Sequence, residues 1–239
     1  MATASALEQD DWDPYVRDVR NYGATAAREC LGAGKSMERV QRLIRRVHRD
    51  LEGAIVAAMR LCPQAIKSDC RPGCSRCCSL RVGVSAPEAL VIADRLISSG
   101  DAQDRMRIER LTQVAQVVEG FDLPEWGRRK TACPLLEAEL CSLYSIRPIS
   151  CRGLATTDVE KCVAFTGDPT ELVPHLLPHL LGGRAIIAGL EEGLRDVGLH
   201  GGPIEMISAV NLALTDETAG PRWLKGEDVF GHLKELLSF

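Results

Sequence analysis

Residues 70–78 read Cys70-Arg71-Pro72-Gly73-Cys74-Ser75-Arg76-Cys77-Cys78, four cysteines within nine positions, and Cys133, Cys141, Cys151 and Cys162 follow. Thiolates are soft, strongly donating ligands, and a cluster this dense is open to oxidation unless something holds the sulfurs. Cys74-x-x-Cys77 has the spacing of a chelating knuckle: two intervening residues let both sulfurs reach one ion while backbone N–H groups point at them. Adjacent side chains diverge, so Cys78 is expected to face a second ion or to bridge between ions beside Cys77. Two four-sulfur sites are one arithmetic for these eight cysteines. One site with a redox-active or supporting pair is the other.

The second group is spaced by eight, ten and eleven residues, too wide for local chelation. Folding must carry it to the first, and a metal would then cross-link segments about 55 residues apart, stabilising a site that the unfolded chain lacks. Cys30 and Cys62 stand alone and are read as non-ligands, since isolated cysteines are often small buried hydrophobes.

Composition narrows the setting. The chain has 239 residues, 45% hydrophobic and only 4% aromatic, which fits a globular protein cored by Leu, Val, Ile and Ala. A net charge of −4 gives no general attraction to nucleic acid or an anionic membrane. It would fall to −8 if eight thiols ionised around two divalent ions. The start, Met1-Ala-Thr-Ala-Ser-Ala-Leu-Glu-Gln-Asp10, lacks the basic and apolar regions of a signal peptide, and no apolar run approaches a bilayer span. The expectation is a cytoplasmic protein without disulfides, in contact with neither membrane nor nucleic acid.

Around the cysteines the pattern is helical. Val40, Leu43, Ile44, Val47, Leu51, Ile55, Ala58 and Met59 form one apolar stripe over residues 35–60, with Ser36 as N-cap, and a helix around Pro14–Leu31 packs beside it. Leu80–Val84 alternates like a short strand. Ser85-Ala-Pro-Glu88 is a capping box that launches a helix through Ile97, ended by Gly100. Asp101 starts another, with Met106, Leu111, Val114, Val117 and Val118 inward. Residues 121–132 read as a loop and 133–165 as irregular, with a small hairpin across Leu135–Tyr144. Helices are expected over 170–181, 183–197 and 203–214, and a short one ends at Leu237. The predicted fold is mainly α: a helical protein enclosing a Cys-rich, largely irregular metal-binding core with at most a small β element. Its parts are an N-terminal arm (1–67), the core (68–165) and a C-terminal helical region (166–239), packed as one unit.

The string Cys70-x3-Cys74-x2-Cys77-Cys78, then Ser85-Ala-Pro-Glu88, resembles the YkgJ-type cysteine-cluster family, also called the CxxCxxCC zinc- or iron-chelating domain. Cys133-Pro134 and Cys141-Ser-Leu-Tyr144-Ser-Ile-Arg147-Pro148-Ile-Ser-Cys151-Arg152 resemble its second half. The first spacing has three residues where the family name has two. The resemblance covers residues 68–165 and implies metal chelation by Cys70, Cys74, Cys77, Cys78, Cys133, Cys141, Cys151 and Cys162. Four thiolates around Zn²⁺ or a [4Fe–4S]²⁺ cluster carry a charge of −2 and call for nearby cations. Arg147 and Arg152 are assigned that role, while Arg71, Arg76 and Arg81 fit it no better than they fit a solvated surface.

Two functions compete. One is a metal-binding protein with zinc or iron in one or two centres, its helical flanks docking a protein partner. The other is an iron–sulfur redox or modifying enzyme, or the accessory subunit of one. No sequence feature shows an open coordination position, so catalysis stays undecided. Gly32-Ala-Gly34-Lys35-Ser36 lacks the glycine and strand of a phosphate loop and reads as helix capping. His175 and His179 have no cysteine nearby in sequence and read as packed or solvated; Arg128-Arg129-Lys130 reads as a solvated loop.

Overall fold

The computed structural model describes residues 9–61, 67–167 and 172–233. They form ten α-helices and two two-stranded antiparallel pairs, the mainly α architecture expected. Among them, no helix is long and apolar enough to cross a membrane. Cys62 lies outside the described residues, as does the end of the expected terminal helix; Gly231–Leu233 is a single 3-10 turn.

Helices α1 (Gln9–Leu31), α2 (Met37–Leu61) and α8 (Leu177–Asp196) make the scaffold. The stripe on α2 is buried at Val40, Leu43, Ile44, Val47, Leu51, Ile55 and Ala58, and Ser36 Oγ accepts the Arg39 N–H at 3.3 Å as its cap. α1 and α8 touch backbone to backbone. A Cβ on Gly189 would lie 1.8 Å from the Arg20 carbonyl, and one on Gly23 would lie 2.4 Å from that of Ile186. Only glycine permits that approach.

The seam corrects one expectation. In place of helices over 170–181 and 183–197 there is a single helix, α8, that starts at Leu177 and runs through Gly182 and Gly183; residues 172–176 are not helical, and 170–171 lie outside the described residues. A Cβ on Gly182 would meet the Tyr15 hydroxyl and one on Gly183 would meet Gly153 Cα, so these glycines serve packing and not a break.

Helix α3 (Ala86–Ser99) starts with the capping box: Glu88 Oε2 accepts the Ser85 N–H at 2.8 Å and hydroxyl at 2.7 Å. Gly100 ends it in the left-handed region, and Asp101 caps α4 (Ala102–Val118). Three side chains expected inward or on the apolar face, Ile97, Met106 and Val117, are exposed. The positions turned inward on α4 include Asp104 and Arg107, which pair with each other and, at 2.7 and 2.8 Å, with Arg95 and Glu137. A buried ion network thus takes part of the face that an apolar pattern assigned to Met106.

The expected loop over 121–132 contains α5 (Leu123–Arg129), capped by Asp122, with Pro124 in its first turn and Trp126 buried. Arg128 and Arg129 pair with Glu125. Strand β1 (Gly83–Val84) pairs with β4 (Ile204–Glu205), shorter than the alternating stretch. The small hairpin is present as β2 (Leu136–Glu137) and β3 (Leu140–Cys141), turned by Ala138 and Glu139 at positive φ. Short helices α6 (Ile149–Arg152) and α7 (Val159–Gly167) complete the core region. α9 (Met206–Thr215) and α10 (Ala219–Leu224), which buries Trp223, close the far side.

Candidate metal centre

The first cysteine segment is shaped by turns. Pro72 and a positive-φ Gly73 at the two central positions make Arg71–Cys74 a turn, closed by the Cys74 N–H on the Arg71 carbonyl at 3.0 Å. A 3-10 helix over Arg76–Ser79 then carries Cys77 and Cys78; the Cys78 N–H donates to the Ser75 carbonyl, and the Leu80 N–H closes the helix on the Cys77 carbonyl. Trp126 Nε1 donates to the Ser79 carbonyl at 3.0 Å, and the Arg81 guanidinium lies over the same indole.

One backbone bond ties the second segment to it, and further contacts position the rest of that segment. The Cys133 N–H donates to the Cys78 carbonyl at 2.7 Å, joining the two cysteine groups through the backbone. The hairpin sets Cys141 opposite Leu136. α6 carries Cys151, and its first free N–H, at Ile149, donates to Glu88 Oε1 at 2.7 Å. Glu88 is therefore both the cap of α3 and the anchor of α6. Burial raises its carboxyl pKa against these donors. Ser150 Oγ adds a bond to the Gly83 carbonyl at 2.6 Å.

Cys162, on α7, packs against the 3-10 helix. The Asp69 carboxylate accepts the Val159 N–H at 3.2 Å, and the Asp69 N–H donates to the Thr156 carbonyl at 2.9 Å. The Thr156 N–H points at Cys70 Sγ, 3.5 Å away.

The sulfurs feel one another. Cys77 is lowered to about 6, first by the hydrogen bond from the Cys78 thiol, against burial and with help from Arg147. Cys78 is correspondingly raised, by that bond, by burial and by repulsion from Cys77, Cys133 and Cys151. Burial pushes Cys133 up to about 11, and Cys151 rises through burial and then Cys77, Cys133 and Cys141. Cys141 is raised by burial. Cys162 is raised by burial and then by Cys70, Cys74 and Cys77. By the charges they exert on one another the sulfurs fall into two overlapping neighbourhoods: Cys70, Cys74 and Cys162 in one, Cys78, Cys133, Cys141 and Cys151 in the other, with Cys77 acting on members of both. Cys30 is buried in the helical scaffold, away from them.

Among the described residues, no three His, Cys, Asp or Glu side chains stand as a closed, ready-made coordination group. The donor set nonetheless suits a metal. Most of these thiols are held protonated, because burial and mutual repulsion disfavour their thiolates, and a cation that replaces the protons would neutralise that repulsion. Cys70 and Cys77 are exposed, and a cavity of about 170 Å³ opens beside Cys74, bordered by Asp69, Glu139 and Glu160 and by Arg71 and Arg76.

The arginines divide. Arg147 stacks on Tyr144, 4.0 Å from the ring centroid, and its charge acts on Cys77 and Cys141. Its Nε is buried with no hydrogen-bond partner among the described residues, as is that of Arg81. Arg152 spends its nitrogens on the Arg147 and Ser145 carbonyls and on Glu52, so it braces the loop that presents Cys151. Sequence reasoning missed Glu88 as an anchor and Thr156 as a donor. The capping box marked Glu88, but its second partner lies 61 residues away.

Residues 69–167 match the model of the CxxCxxCC family, described as "Putative zinc- or iron-chelating domain". The match covers the cysteine-rich segment and supports metal binding by it. No curated protein and no solved structure matches the chain.

Proposed function

We propose that the chain is a zinc-binding protein whose ions are held by Cys70, Cys74, Cys77, Cys78, Cys133, Cys141, Cys151 and Cys162 in two sulfur sets that meet at Cys77. Zn²⁺ takes tetrahedral thiolate shells without redox chemistry, and each ion would lock two distant segments together. The observation that carries the reading is the Cys133 N–H bond to the Cys78 carbonyl, which seats the second cysteine group against the first. The upward push that neighbouring sulfurs exert on Cys78, Cys151 and Cys162, beside that of burial, supports it. Arg147 supplies positive charge beside the sulfurs, Arg152 adds charge at Cys141 and holds the loop, and Glu88 orients α6. Uptake releases thiol protons, so affinity rises with pH.

The adjacent Cys77–Cys78 pair favours a second reading, an iron–sulfur centre with redox function, because vicinal thiols suit a multi-metal group. Metal analysis and a visible spectrum of anaerobically purified protein separate the two. Colourless protein with near-integer zinc is the expected result; brown protein absorbing near 400 nm that bleaches on reduction selects the iron–sulfur reading. Cys74→Ser and Cys151→Ser should each lower metal content. If neither does, the ligand assignment is wrong.

A further inference from the structure

Three extended segments lie side by side at the edge of the cysteine core. Asp69 and Cys70 bond one side of Thr156, through the Asp69 N–H to the Thr156 carbonyl and the Thr156 N–H to Cys70 Sγ. On its other side Thr156 forms an antiparallel bridge with His175. The bonds that frame the bridge run from the Leu176 N–H to the Ala155 carbonyl at 2.9 Å and from the Thr157 N–H to the Pro174 carbonyl at 3.3 Å. Thr156 and His175 are therefore a non-hydrogen-bonded pair, the kind whose side chains stand close together on one face. The Thr156 side chain is buried; its hydroxyl donates to the Pro174 carbonyl at 2.8 Å and lies close enough to Cys162 to act on its thiol. His175 thus projects on the face that holds Cys162, one segment over from Cys70. Its Nδ1 is buried and has no hydrogen-bond partner among the described residues, an expense that a protein rarely bears without use.

We infer that His175, which lies beyond the matched domain, is a nitrogen ligand to the ion on the Cys70, Cys74 and Cys162 side of the centre. The inference rests on the thiolate reading above and adds an imidazole to it. The arithmetic of the two neighbourhoods leaves room for this donor. Cys78, Cys133, Cys141 and Cys151 already supply four sulfurs to one ion, while Cys70, Cys74 and Cys162 are three, with Cys77 placed between both sets. A neutral imidazole binds through its lone pair without losing a proton, and a Cys₃His shell suits zinc. It would also tie α8, and through it the α1–α8 seam, to the metal. His179 Nδ1 is likewise buried without a partner among the described residues, but His179 lies one helical turn further on, inside α8, and lacks the backbone bridge that sets His175 beside Thr156.

X-ray absorption at the zinc edge tests this on the full chain loaded anaerobically with zinc, since Zn–N and Zn–S shells separate at about 2.0–2.1 Å and 2.3 Å. Wild type should show a minority nitrogen shell. His175→Ala should lose it and release one ion to a competing chelator at least about tenfold more readily. His175→Cys should restore retention with an all-sulfur shell, and His179→Ala should keep the nitrogen signal. Because the Thr156–His175 bridge is made by backbone, circular dichroism of these variants should match wild type. A full complement of zinc in an all-sulfur wild-type shell, or a nitrogen shell that survives His175→Ala, overturns the inference and leaves the thiolate reading standing. A chain that takes up no zinc overturns both.

Discussion

Between α1 and α8, Gly23, Gly189 and Gly193 let two helices of 23 and 20 residues meet backbone against backbone over buried Val19, Ala27, Ile186 and Leu190. Around the cysteines, by contrast, the longest unit between residues 67 and 85 or between 130 and 158 is four residues. There the chain is held by single bonds of long reach: Cys133 to Cys78, Ile149 to Glu88, Thr156 to Cys70. One region closes by apolar packing that needs nothing added. The other has too little regular structure to close alone, and its remaining valences are sulfurs. A metal is thus the core's counterpart of the glycine seam.

Removing the metal should strike the two regions most unequally. Chelation is expected to expose amides of residues 69–84 and 131–162 to rapid hydrogen exchange while those of α1 and α8 stay protected. Equal loss in both regions would mean that the scaffold also depends on metal. Next in size, Gly189→Val forces a side chain into the Arg20 carbonyl and should cost about 3 kcal/mol or more in thermal unfolding, with or without metal. A neutral result would refute the close seam.

Glu88→Ala should cost about 2 kcal/mol, because it strips the Ser85 and Ile149 N–H groups of a buried acceptor. It should also lower zinc retention by disordering α6. Glu88→Gln keeps an acceptor oxygen and should lose less of both; if both variants hold zinc like wild type, Glu88 does not position Cys151.

The smallest effect concerns pH. His48, buried on α2, is lowered to about 3 by burial and then by the nearby Arg152 and Arg147 charges. Its folded pKa lies below its unfolded value near 6.5, so the unfolded chain binds the proton first. Stability should therefore be full above pH 6.5 and decline as pH falls toward 3. His48→Gln should flatten that decline in urea titrations; an unchanged slope would show that other groups carry it.

Much of this could be read from the sequence, for identifiable reasons. The α2 stripe, the Ser85–Glu88 box, the Asp101 cap and the 135–144 hairpin are local signals, complete within a few residues. What escaped notice depends on distant partners. Gly182-Gly183 looks like a helix break until Tyr15 and Gly153 are seen against it. Met106 looks inward until Arg107 and Glu137 take the buried ion network. The eight cysteines proposed as ligands are marked by type and spacing, whereas His175 carries no such mark, since its bridge to Thr156 joins segments 19 residues apart.

Thiol mapping speaks most directly to the joining of the two cysteine groups. Anaerobic protein is alkylated before and after chelation, and each cysteine is located by peptide mass. The thiols of residues 70–78 and 133–162 should be shielded together and become reactive together as the ion leaves, with Cys30 following neither. If one segment reacted freely in the metal-loaded protein while the other stayed protected, the shared centre would not exist.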